Sequence, residues 1–104
     1  RAPPGARDRL EAGDIVVDRA TRRVTVAGEE VPLSGKEYEL LVWLASDPRR
    51  VFTKDELLQE VWGFRSSART RTLDTHASRL RRKLGDRGSR PYVVNVWGVG
   101  YRLL

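Results

Sequence analysis

Arg71, Thr75, Ser78 and Arg82 recur at spacings of four, three and four, with Arg79 beside them. These residue types suit one chemistry in particular, the recognition of a polyanion. Guanidinium forks match phosphates and the acceptor edge of guanine, and short hydroxyl side chains let a helix backbone approach a groove closely. The stretch that holds them, residues 69–90, has eight basic residues against two acidic ones, Asp74 and Asp86. That excess equals the whole net charge of +6, because the other twelve bases are balanced by twelve acids. Charge concentrated in one segment points to a defined anionic partner. Taken by itself, such a run also reads as an ordinary solvated helix face.

A helix is the element that presents these side chains together. Leu73, Ala77, Leu80 and Leu84 fall at i, i+4, i+7 and i+11, a single stripe at about 100° per residue. With that stripe buried, Arg71, Thr75, Ser78 and Arg82 point outward, and Arg79 and Thr72 occupy one shoulder. His76 and Lys83 lie further round on that side. Asp74 and Arg81 lie on the other, where Asp74 is expected to orient an arginine. The helix is expected over about 70–84.

At 104 residues and without cysteine, the chain reads as one domain with neither a disulfide framework nor a thiol metal site. There is no signal-peptide pattern and no apolar run of bilayer length, so no membrane partner is expected. Residues 1–13, with Arg-Ala-Pro-Pro-Gly at their head, read as a tether, and 14–104 as the folded domain. Strand patterns follow at Asp14–Asp18, Arg23–Ala27 and Val31–Leu33, the last confined to an edge by Pro32. Ser34-Gly-Lys-Glu37 and Thr53-Lys-Asp-Glu56 are capping boxes opening two further helices, one stopped by Pro48 and the other by Gly63. Leu57, Leu58, Val61 and Trp62 face inward on the second, and Trp43 and Trp62 are expected in the core or at its edge. From Tyr92 onward the chain patterns as a hairpin with Gly98 and Gly100 near its tip. The expected class is α+β: a winged helix-turn-helix with an N-terminal antiparallel β-sheet, three helices and a C-terminal β-hairpin wing.

Other chemistries fit poorly. His76 is the sole histidine, so no multi-histidine metal site can form. The prominent serines and threonines sit at helix caps with no base beside them, and the carboxylates cluster in first turns, where they answer the helix dipole. Gly98 and Gly100 do not lead a strand into a helix and so make no phosphate-cradling loop. Neither an enzyme nor a metal or cofactor is expected. The rival is a winged-helix module that binds protein or RNA. A helix presenting Arg, Thr and Ser favours duplex DNA over RNA, because A-form RNA hides its major groove.

Four stretches in chain order carry a resemblance: Leu33-Ser-Gly-Lys-Glu-Tyr-Glu-Leu-Leu41, Val51-Phe-Thr-Lys-Asp-Glu-Leu-Leu-Gln-Glu-Val-Trp-Gly63, Arg71-Thr-Leu-Asp-Thr-His-Ala-Ser-Arg-Leu-Arg-Arg-Lys-Leu84 and Val96-Trp-Gly-Val-Gly-Tyr-Arg102. Together they resemble the winged-helix effector domain of OmpR/PhoB-type two-component response regulators. The resemblance implies the cytoplasmic output domain of a bacterial transcriptional regulator in a phosphorelay, binding double-stranded DNA sequence-specifically. The 70–84 helix would enter the major groove, and the wing, 95–99, would lie near the minor groove. Arg71 and Thr72 would contact phosphate and base, and Arg79 base edges, with Arg81 and Arg82 near the backbone. His76 is open to a phosphate contact or plain exposure, and Arg102 to a phosphate contact or a solvated strand position. Thr75, Ser78, Asn95 and Trp97 complete the expected DNA-binding set. Phe64, Arg65, Ser66 and Ser67 correspond to a loop through which some relatives touch RNA polymerase. A receiver domain ahead of the tether, and an isolated domain that is monomeric but pairs on DNA, are also implied.

Three positions depart from the family pattern. Trp97 stands where several relatives carry a minor-groove arginine; an indole supplies no charge but can pack on sugar and donate its N–H. Ser78 replaces a long side chain, and Asn95 a frequent threonine.

Overall fold

A computed structural model describes residues 8–63, 70–85 and 91–104. The chain opens with a four-stranded antiparallel meander: β1 (Arg9–Ala12), β2 (Ile15–Asp18), β3 (Arg23–Val26) and β4 (Glu29–Glu30), adjacent in that order. Period-two alternation dictates its central pair. Ile15 lies opposite Val26 and Val17 opposite Val24, so all four bury on one face. Two details differ from the sequence reading. The strand β1 lies within the stretch read as tether and pairs along β2 from Arg9–Asp18 to Ala12–Ile15, which moves the start of the folded unit ahead of Asp14. Its signal is weak because Arg9 and Glu11 are exposed and pair with each other at 3.0 Å, leaving Ala12 as its fully buried side chain. The fourth strand falls at Glu29–Glu30 instead of Val31–Leu33. Val31 is still buried and donates its N–H to the Val24 carbonyl at 2.8 Å, after which Pro32, lacking a donor, takes the chain off the sheet.

Helix α1 (Gly35–Ser46) begins with the expected capping box: the Glu37 N–H donates to Ser34 Oγ at 3.3 Å and the Ser34 N–H to Glu37 Oε1 at 3.0 Å. It ends at Asp47, before Pro48. Helix α2 (Lys54–Leu57) is capped by Thr53, whose hydroxyl accepts from the Glu56 N–H at 3.1 Å, while the Glu56 carboxylate turns to Arg50 at 2.6 Å. It continues as a π-helical turn, Leu58–Trp62, which Gly63 closes at φ 77°. Lys36 of α1 donates to the Val61 carbonyl at 2.8 Å, answering an acceptor that the end of this turn leaves open. Leu57, Leu58 and Val61 are buried and Trp62 half-buried, as the spacing predicts. Helix α3 (Thr70–Gly85) buries Leu73, Ala77, Leu80 and Leu84 completely.

The second sheet is built from β5 (Phe52–Thr53), β6 (Val94–Val96) and β7 (Gly100–Arg102), with β7 in the middle. Gly100 is dictated by that pairing, since a Cβ there would lie 1.8 Å from the Phe52 carbonyl oxygen. Helix α1 packs on both β1 and α3, and residues of both sheets share one core. Tyr92, fully buried, ties the hairpin to the first sheet by accepting the Asp14 N–H at 2.9 Å.

Candidate nucleic-acid interface

The buried stripe of α3 fixes what its opposite face displays. Arg71, Thr75, Ser78, Arg79 and Arg82 are exposed, and Thr72 is half-buried on the shoulder. Thr70, Arg71, Asp74, Thr75, Ser78, Arg79 and Arg82 line one open concavity along the helix. Among the described residues, Arg71, Arg79 and Arg82 have no acidic partner. Their charge is therefore uncompensated by any carboxylate among the described residues.

The flanking polar residues behave differently, because the fold uses them. Lys83 donates to Glu37 Oε1 at 2.6 Å, joining α3 to the capping box of α1. Burial pushes the Glu37 carboxyl up, but the Lys83 hydrogen bond, the Ser34 amide and the nearby ammonium charge outweigh it and hold the pKa below the usual 4.5. Arg81 donates through Nε to the Val93 carbonyl at 2.9 Å. Val93 is fully buried with φ 61°, a left-handed conformation that a β-branched residue adopts only under constraint, and Arg81 holds the turn from outside. Arg81, expected near the DNA backbone from the resemblance, thus has a structural contact within the fold. His76 is half-buried, with its ring edge-on to Trp62 at 5.0 Å and Nδ1 2.8 Å from the Thr72 carbonyl. A carbonyl oxygen only accepts, so Nδ1 carries a proton and Nε2 is left for other partners.

Among the described residues Asp74 pairs with a tyrosine and a lysine, not with the arginine that the spacing suggests. Its Oδ1 accepts from the Tyr101 hydroxyl at 2.6 Å and lies 3.1 Å from Lys54 Nζ. Burial, the Asp74 hydrogen bond and the Asp74 charge all raise the Tyr101 hydroxyl well above its ordinary value, so it stays a donor. The helical period of α3 carries no trace of this contact, because both of Asp74's partners come from elsewhere in the chain.

Tyr101 and Arg81 together bring the wing to α3. At its tip, the Val99 N–H donates to the Val96 carbonyl at 3.0 Å and the Lys54 N–H to the Val99 carbonyl at 3.3 Å. Thr53, Lys54, Asp55, Thr70, Gly98 and Val99 line a second concavity, which places the tip beside the N-termini of α2 and α3. Trp97 is 86% exposed. Asn95 stands opposite Tyr101 and so leaves the ribbon on the face that meets α3. Its Oδ1 is buried without a hydrogen-bond partner among the described residues. Arg102 is half-buried and donates through Nε to the Leu104 carbonyl at 2.8 Å. Neither Asn95, Trp97 nor Arg102 lines the α3 concavity, so helix and wing form two adjacent surfaces. Phe64, Arg65, Ser66 and Ser67 lie outside the described residues. No group of acids and His76 among the described residues has the arrangement of a metal site.

Comparison with known proteins gives a consistent result. The family model described as transcriptional regulatory protein, C terminal, matches residues 28–103. The chain is 42% identical over 104 residues to the transcriptional regulatory protein SrrA of Staphylococcus aureus, covering 98% of this chain and 43% of that protein. It thus spans less than half the length of the curated relatives it matches. Among solved structures it is similar to the Klebsiella pneumoniae RstA DNA-binding domain in complex with RstA box, with a TM-score of 0.81, 31% identity, and 91% and 95% of the two chains covered. It is equally similar to the DNA-binding domain of CpxR from E. coli, with a TM-score of 0.80, 33% identity, and 91% and 94% covered. The chain belongs to the transcriptional regulatory protein C-terminal family, the winged-helix effector domains of OmpR/PhoB type.

Proposed function

We propose that this chain is the DNA-binding output domain of a bacterial transcriptional regulator of the response-regulator type. One observation carries the reading: α3 sorts its basic residues. Arg81 and Lys83 are bound into the fold, whereas Arg71, Arg79 and Arg82 stand exposed without acidic partners among the described residues. An amphipathic cylinder about 10–12 Å across fits a B-form major groove about 12 Å wide. Arg79 and Arg71 are assigned to base edges and phosphates near them, Arg82 to the backbone, and Thr72, Thr75 and Ser78 to close contact along the groove. His76, whose Nδ1–H is held by the Thr72 carbonyl, reaches a phosphate at the helix flank as an imidazolium donating through Nε2–H. Asn95 and Trp97 approach the neighbouring minor groove, and Arg102, tied to Leu104, is left with a minor part.

On the family resemblance we assign a phospho-accepting receiver domain to the full protein, two copies meeting on repeated half-sites, and a cytoplasmic setting. Residues 64–67 are assigned to RNA polymerase contact on the resemblance. Selection of bound duplexes from a random pool tests the whole reading, and Arg79→Ala tests its centre. On the selected site the substitution is expected to weaken binding by roughly 1–3 kcal/mol and to relax preference at one base pair. Equal weakening on scrambled duplex would make Arg79 a phosphate ligand. Failure to recover any duplex would favour the protein- or RNA-binding alternative.

A further inference from the structure

The wing ends in an uncharged, rigid indole, and this has consequences for which DNA the domain accepts. Trp97 and Val99 are the exposed large hydrophobic residues of the described chain, at 86% and 48%. Their exposure does not come from a loose loop. The tip is closed by Val99 on Val96 and fastened to α2 through the Lys54 N–H, and Gly100 is wedged against Phe52. Tyr101 then fixes the ribbon to Asp74 on α3. The backbone that carries Trp97 is therefore fixed relative to α3, and its neighbours Gly98 and Val99 lie beside the N-termini of α2 and α3.

We infer that Trp97 is a specificity-determining residue that selects against a narrow, A-tract minor groove at the DNA flank beneath the wing; this rests on the DNA-binding reading above. A narrowed A-tract groove concentrates negative potential and rewards an inserted cation. An indole gains nothing from that potential, and its broad ring is hindered by the narrowing. It gains instead from apolar contact with deoxyribose walls, with its N–H free to meet a phosphate. Helix and wing thus divide the interface: α3 supplies the salt-dependent part and Trp97 a salt-independent part that depends on groove width.

The test uses the duplex recovered by random-pool selection, with each flank rewritten in turn as an A-tract or as mixed sequence. The unaltered protein is expected to bind about 5–10-fold more weakly when the flank under the wing is an A-tract. Trp97→Ala should lose most of that discrimination, weaken binding to the mixed flank, and leave the salt slope unchanged. Trp97→Arg should reverse the preference and steepen the slope by about 0.9, the increment for one added phosphate contact. Because the side chain is exposed, both variants should melt with the parent. Equal binding to both flanks by the unaltered protein, or a Trp97→Ala variant that keeps the discrimination, would overturn the inference while the DNA-binding reading stood. No duplex binding by the unaltered protein would overturn both.

Discussion

Arg81 and Arg82 are neighbours in sequence with opposite expected phenotypes, which makes them the sharpest probe of the site. Arg81 is half-buried and donates to the carbonyl of Val93, the buried residue at φ 61° where the chain enters the wing. A hydrogen bond from a charged donor contributes about 1.5–3 kcal/mol, and partial solvent access puts Arg81 in the lower part of that range. We expect Arg81→Ala to cost about 1.5–2 kcal/mol. In a domain of this size each kcal/mol moves Tm by about 4–8 °C, so melting should fall by roughly 6–16 °C. Arg82 is exposed with no acidic partner among the described residues, and its removal should change stability by no more than about 0.5 kcal/mol. Its effect should appear on DNA instead. Loss of one phosphate contact lowers the slope of log K against log salt by about 0.9, so a fourfold rise in salt weakens the variant about 3.5-fold less than the parent. Thermal melts and anisotropy titrations at several salt concentrations read both quantities. An Arg81→Ala protein with parental Tm and a flattened slope, or an Arg82→Ala protein that melts several degrees early, would refute the assignment.

Two other outcomes follow from contacts that join distant parts of the chain. Tyr101→Phe removes the donor to the Asp74 carboxylate and should cost about 1–2 kcal/mol; adding Asp74→Asn should then cost much less than it does alone, and strictly additive losses would rule out the coupling. Glu37 has a lowered folded pKa, so its contribution is complete above the ordinary carboxylate pKa and is lost as pH falls through the folded value. Melting temperature should therefore drop on the acid side of about pH 4.5, and less steeply in Glu37→Gln, which keeps an acceptor for the Ser34 N–H but no charge for Lys83; parallel acid limbs would remove Glu37 from the account.

Local rules in the sequence determined the elements. The stripe from Leu73 to Leu84 and the Ser34 capping box each depend on residues within a few turns, and each appears in the structure. So does the outward face of Arg71, Thr75, Ser78 and Arg82, because a helix has one period and its buried side leaves no choice for the other. Even the hairpin at the C-terminus was legible in its glycines. What local pattern misread was short or polar: β1, with two charged residues in four, and β4, built from Glu29 and Glu30. Those strands exist because partners lie alongside them, which no period within four residues can reveal.

Tertiary structure alone decided which charges remain available. Arg81 and Arg82 are the same residue type one position apart, yet one meets a carbonyl from the wing and the other meets none among the described residues. Lys83 finds Glu37 forty-six positions away, and Asp74 finds Tyr101 at twenty-seven. Such pairings depend on how α1, α3 and the hairpin close around a shared core. The exposed basic face is what remains after that closure.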